Sequence, residues 1–145
     1  MLRLWHKDII QVLPKQQLLG QWRECCLIAK NIAKKGTPNH ILVNKIMDYP
    51  IYDFIKYTAL VIYEMKQRGY KVNPSCFDKY NLSDDKAGIL AFDMSKGYIT
   101  NTLVFYDWHD LRYMRQCYYN LQEKYDNGGI TPEEWLKICD YTGWY

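Results

Sequence analysis

"LPKQQLLGQWRECCLI", residues 13–28, decides how this chain folds. Leu18, Trp22, Cys25, Ala29 and Ile32 recur at three- and four-residue spacing, which puts them on one stripe of an α-helix. Pro14 can occupy the first turn, where its missing N–H costs nothing. The cations and glycine of "KKGTPN" (34–39) end the helix after about Ala33. A second strip, Gln17, Gly20, Gln21 and Glu24, follows the same spacing on another face. Glycine costs roughly 1 kcal/mol of helix propensity against alanine. Gly20 is therefore expected to serve a close approach and to leave a shallow site beside one carboxylate and two amides. A solvated polar face with an incidental glycine is the alternative, and spacing alone leaves both open.

Three more helices follow from the same signals. The second spans about 50–68, opening at Pro50 and ending in "KQRGY", with Asn73-Pro74 forbidding continuation. The third covers about 107–125, on the repeat of Leu111, Met114, Cys117, Tyr118 and Leu121. "ITPEEW" (130–135) starts the fourth, with Thr131 as N-cap, Pro132 at N1 and Glu134 at N3. Residues 74–104 read as turns around short apolar pieces. The expectation is an all-α fold, a single compact domain over residues 1–145. It would have three to four helices and an irregular segment between the second and third.

Composition narrows the function. The 145 residues suffice for one real core. The 14 Tyr and 5 Trp can fill that core or stack on bases. The net charge of +3 is uneven. Residues 1–71 carry 12 Lys and Arg against 5 Asp and Glu, whereas residues 72–145 carry 7 against 11. An anionic partner would be drawn to the first half. Five cysteines without a CxxC pair give neither a disulfide framework nor a zinc signature, and they fit a reducing cytoplasm. No segment approaches 18 uninterrupted apolar residues, so no membrane association is expected. In "EKYDNGGITPEE" (123–134), Glu123 and Tyr125 fall where a calcium loop needs its first ligands, and a capped turn explains the stretch better. His6 and His40 are read as surface or core residues, and neither metal nor cofactor is expected.

Three stretches carry a resemblance. "MLRLWH" (1–6), "LPKQQLLGQWRE" (13–24) and "EMKQRGYKV" (64–72) make the chain similar to the pyrimidine-dimer DNA glycosylases of the bacteriophage endonuclease V type, with a weaker echo at "YDWH" (106–109). The resemblance implies that an amino-terminal amine attacks C1′ of the target sugar, releases the base and forms a Schiff base, and that β-elimination then cuts the strand. It implies Met1 as the source of the amine, since bulky Leu2 blocks removal of Met1, and Glu24 as the assisting carboxylate. It also implies that Arg3, Gln16, Gln17 and Arg23 contact double-stranded DNA. His109 matches a late histidine to which no role attaches. The chain differs from the phage pattern in having Gln17 where a histidine stands, and one more residue ahead of the glutamate helix. The aromatic tail is reduced to Tyr141, Trp144 and Tyr145. The expected protein is a monomeric, cofactor-free glycosylase with AP-lyase activity, and its lesion is left open. A non-catalytic nucleic-acid-binding protein on the same scaffold and a protein–protein interaction module are the alternatives.

Overall fold

The computed structural model describes residues 3–82 and 104–145, and those residues are helical with no strand among them. The order is a 3₁₀ turn (Ile9–Val12), α1 (Lys15–Lys35), a second 3₁₀ turn (Asn44–Asp48), α2 (Ile51–Gln67), a short α3 (Ser75–Asp78), α4 (Leu111–Asp126) and α5 (Pro132–Thr142). The four long helices stand where the periodicity puts them. Pro14 and Pro50 cap α1 and α2 from one position outside. α1 runs two residues past Ala33, to Gly36 in the left-handed conformation that glycine adopts without strain. Of the expected irregular stretch, Ser75–Asp78 forms one helical turn, and 83–103 lies outside the described residues.

The expected start of the third helix at 107 is corrected to Leu111. Asp110 is extended, and its carboxylate accepts the Tyr113 N–H at 2.9 Å, an N-cap that fixes the boundary. Leu111 is consequently exposed rather than part of the apolar stripe, while Met114, Cys117, Tyr118 and Leu121 are buried. The fourth helix has the predicted capping box, with the Glu134 N–H on Thr131 Oγ1 at 3.1 Å and the Thr131 N–H on Glu134 Oε1 at 3.2 Å. The other oxygen of Glu134 accepts the Lys15 N–H at 2.9 Å, so one carboxylate joins the starts of α1 and α5.

The core gathers Leu18, Cys25, Ile28 and Ala29 of α1, Phe54, Tyr57, Val61 and Ile62 of α2, and Leu121 of α4 around Leu4, Ile9, Ile10 and Leu13. Trp22 and Ile32, expected in the buried stripe of α1, are only half-buried, and Gln21 takes a fully buried place. That position explains an extended segment that has no strand partner. Gln21 Oε1 accepts the Trp5 N–H at 2.8 Å, and its Nε2 donates to the Arg3 carbonyl at 2.8 Å. The one Tyr57 hydroxyl hydrogen is shared between the Trp5 carbonyl at 2.6 Å and Gln21 Oε1 at 3.0 Å, and Tyr113 donates to the Leu4 carbonyl. At the far end His109 Nδ1 accepts the Lys7 N–H at 2.9 Å, and Lys7 Nζ donates to the Val104 carbonyl at 2.8 Å. Buried backbone groups must be paired, and here side chains from α1, α2, α4 and the turn before α4 do the pairing.

Two histidines are buried in this arrangement. His6 and His109 stack at 5.2 Å between ring centres, and burial lowers the pKa of both, strongly so for His109. The unfolded chain therefore binds more protons than the folded one below the ordinary histidine value of about 6.5. The stability these residues provide is complete above that value and is lost as pH falls toward their lower folded values. Thermal midpoints should accordingly drop between pH 7.5 and 5.5, and a midpoint flat across that range would contradict the burial. The Gln21 clamp has its own test. Gln21→Leu leaves the Trp5 N–H and Arg3 carbonyl unpaired and should cost about 3 kcal/mol, or roughly 10 °C in Tm. Gln17 Oε1 is buried with no partner among the described residues, so Gln17→Leu should stay within about 0.5 kcal/mol. Equal losses for the two would refute this division of labour.

Candidate active site

Glu24 sits in α1, one turn beyond Gly20, and is half-buried on the wall of a cavity of about 350 Å³. Arg3, Trp5, Gln16, Gln17, Gly20, Gln21 and Glu24 line one side, and Asn120, Glu123 and Lys124 of α4 line the other. The stretch of α1 from Gln16 to Glu24 presents one face to this cavity, while Leu18 and Cys25 turn another into the core. Glu24 Oε2 accepts the Arg3 N–H at 3.2 Å. Burial pushes the Glu24 carboxyl above its usual range, while the Arg3 N–H and the charges of Arg3 and Arg23 oppose the rise. A carboxyl shifted in that direction inside a cleft can exchange a proton nearer to neutral pH.

The two expectations for Gly20 divide. A side chain there would meet only the Arg23 guanidinium, at 3.9 Å, so no part of the described chain requires a close approach. The glycine does line an open cavity beside Glu24, the shallow site that its missing side chain was expected to leave. Of the two amides expected beside the carboxylate, Gln17 lines the cavity with its half-buried side chain, while Gln21 is committed to the clamp. Gln21 is thus a structural residue whose edge reaches the cavity.

The expected site residues partly converge. Arg3, Gln16, Gln17 and Glu24 share the cavity, and the Arg3 guanidinium lies 5.3 Å from the centre of the Trp5 ring. Arg23 is exposed at the rim over Gly20. Met1 lies outside the described residues. His109 is buried away from the cavity, and its Nδ1 is occupied by the Lys7 N–H. Burial also raises the thiols of Cys25 and Cys117, which removes both as nucleophiles at neutral pH. Among the described residues no group of His, Cys, Asp and Glu is arranged to hold a metal.

Asn120, Glu123 and Lys124 were missed by sequence reasoning. They lie one helical turn apart on α4, beside the Met114–Leu121 stripe, and nothing in the local pattern separates them from an ordinary solvated face. Lys124 brings an amine to the wall of the cavity that Glu24 lines. Lys7, by contrast, is buried on Val104, and Lys15 lies over the Tyr70 ring at 5.7 Å. A second, larger concavity of about 950 Å³ adjoins at Gln16 and Gln17 and extends along Pro14 and Lys15 to the turn between α4 and α5. Its lining includes Lys15, Asp126 and Glu134 but neither Glu24 nor Arg3.

No helix among the described residues is long and apolar enough to cross a membrane. No curated protein and no solved structure matches the chain. The family profile of the pyrimidine dimer DNA glycosylases matches residues 2–78, a span that contains Arg3, Gln16, Gln17, Arg23 and Glu24 and more than half of the sequence. The segment anchored on a half-buried carboxylate and the basic first half of the chain fall inside that match, and the chain belongs to the pyrimidine dimer DNA glycosylase family.

Proposed function

We propose that the protein removes damaged bases from duplex DNA and then cuts the strand as an AP lyase, with the Met1 amine as nucleophile and Glu24 as the assisting carboxylate. One observation carries this reading: the Arg3 N–H bonded to Glu24 Oε2 at 3.2 Å. Consecutive Cα atoms are about 3.8 Å apart, so an amine two residues before Arg3 is within about 8 Å of the Arg3 Cα and can reach the same cavity. An α-amine has an ordinary pKa of about 7.7–8.0, which leaves a neutral, nucleophilic fraction at neutral pH.

The bond changes balance with water as the one further reagent. The amine nitrogen bonds to C1′ as the base departs with the glycosidic electron pair and takes the proton that the amine gives up. The sugar ring then opens, O4′ taking a proton from the Glu24 carboxyl, and the nitrogen is left as the protonated imine. Loss of a C2′ proton to the Glu24 carboxylate drives β-elimination of the 3′ phosphate, and water hydrolyses the remaining imine to free the amine. Glu24 also faces the positive charge that develops at C1′. Arg3 and Arg23 neutralise phosphates, and Gln16 and Gln17 offer amides to the displaced nucleotide. A single chain supplies every group named, so a monomer suffices. Five free cysteines support a reducing, cytoplasmic setting.

Borohydride should trap a covalent adduct between the protein and an abasic duplex, mapped to the Met1 amine. Glu24→Gln should keep duplex affinity and lose roughly 10²–10⁴-fold in rate. An adduct at Lys124 would reassign the nucleophile to α4, and no adduct would turn the reading to DNA binding without catalysis. Arg3→Ala and Arg23→Ala should each weaken duplex binding alike across sequences and lower the salt slope by about one. Slopes unchanged by both would place the DNA surface elsewhere.

A further inference from the structure

His109 is used by none of the chemistry above, yet it holds the same segment. Its Nδ1 accepts the Lys7 N–H at 2.9 Å. A ring nitrogen that accepts carries no proton, so neutral His109 bears its hydrogen on Nε2. The ring has little room to turn. It stacks with His6 at 5.2 Å, and it meets Trp108 and Tyr113 at 4.8 Å and Phe105 at 5.1 Å, with Tyr57 edge-on at 5.8 Å. Tyr57 and Tyr113 themselves bond the Trp5 and Leu4 carbonyls. Val104, five residues before His109, takes the Lys7 ammonium. The turn ahead of α4 thus grips Lys7 by both backbone and side chain, while Glu24 holds Arg3 at the other end.

An extended chain advances about 3.3 Å per residue, so the two anchors fix the register of the five residues from Arg3 to Lys7 and the reach of whatever precedes them. We propose that His109 is a positioning residue for the reaction: as a neutral acceptor for the Lys7 N–H, it sets the register of residues 3–7 and with it the placement of the chain's amine beside Glu24. The proposal rests on the amine chemistry proposed above. It also gives the weak "YDWH" echo a physical role.

Two substitutions separate the acceptor from the packing. In His109→Asn the amide oxygen can stand where Nδ1 stands, at the loss of ring volume. His109→Leu keeps more apolar bulk and offers no acceptor. The readouts are the single-turnover rate of borohydride trapping on an abasic duplex and the Kd for a duplex carrying a tetrahydrofuran site, which the protein cannot cleave through an imine. A third is hydrogen exchange at the Lys7 amide. Positioning predicts that Leu lowers the rate by between about ten- and a hundredfold at unchanged Kd. It also predicts that Asn stays within about threefold of the parent although less thermally stable. Lys7 exchange should speed up in the Leu variant alone. Rates that follow folded fraction or thermal stability in both variants would overturn the positioning role and leave the amine chemistry standing. A parent that traps nothing would overturn the amine chemistry, while Lys7 exchange would still report the tether. Should both variants fail to fold, the ring nitrogens of the parent decide it by NMR: a bare Nδ1 at neutral pH supports the proposal, and a protonated Nδ1 overturns it.

Discussion

An extended segment in a helical protein has no ladder to join, and that constraint shapes the rest of this molecule. Residues 3–7 run through the core with their N–H and C=O groups pointing at helices whose own backbone bonds are already made. Gln21 resolves the conflict by acting as a substitute peptide, accepting from Trp5 and donating to Arg3 from a position where periodicity calls for an apolar residue. A buried amide left unpaired would cost more than an apolar side chain in its place, whereas one paired at both ends fixes register and orientation together. Once that register is set, Arg3 is delivered to Glu24 and Lys7 to the turn before α4.

The helices were legible because their signals are local. The capping box of α5, the glycine stop of α1 and the stripes of α1 and α4 are each written within a few residues. The start of α4 at Leu111 rather than 107 is set by the Asp110 cap, which depends on one side-chain bond that the apolar repeat does not announce. The site was legible in part. Glu24, Gln17 and Gly20 share a helix face, and spacing suffices to bring them together. Gln21 was assigned to the same face and function because a wheel cannot tell a polar residue that faces water from one that faces another backbone. Asn120, Glu123 and Lys124 come from α4, about a hundred residues away, and no local pattern announces them.

The two halves of the chain divide the work unevenly. The positive half supplies the carboxylate, the segment tied to it and the arginines, and the family match lies there. The second half closes the cavity and holds the segment from behind, through Tyr113 and His109. Its aromatics pack mostly on one another: Tyr118 meets Trp135 and Trp144, and Trp135 stacks on Tyr125. These four aromatics join α4 to α5 and the carboxy-terminal end, whereas Tyr106, Tyr119 and Tyr145 stay exposed.

The order in which these contacts can form carries a consequence for biosynthesis. The side-chain partners that hold the backbone of Arg3, Leu4, Trp5 and Lys7 lie 16 to 109 positions further along the chain, with the most distant on α4. At roughly 5–20 residues per second of translation, the first residues made wait on the order of ten seconds for the last of their partners to emerge. During that interval Leu4, Trp5, Ile9 and Ile10 have only the α1 and α2 part of the core to enter, and the closure of so long a loop comes at the end of folding rather than its beginning. A nascent chain that has not yet exposed Val104 to Tyr113 cannot have its amino-terminal segment bonded at Lys7 and Leu4. Emergence of α4 is thus a condition for completing the cavity, and a chain truncated before α4 would retain the glutamate helix without the grip that aligns the segment on it.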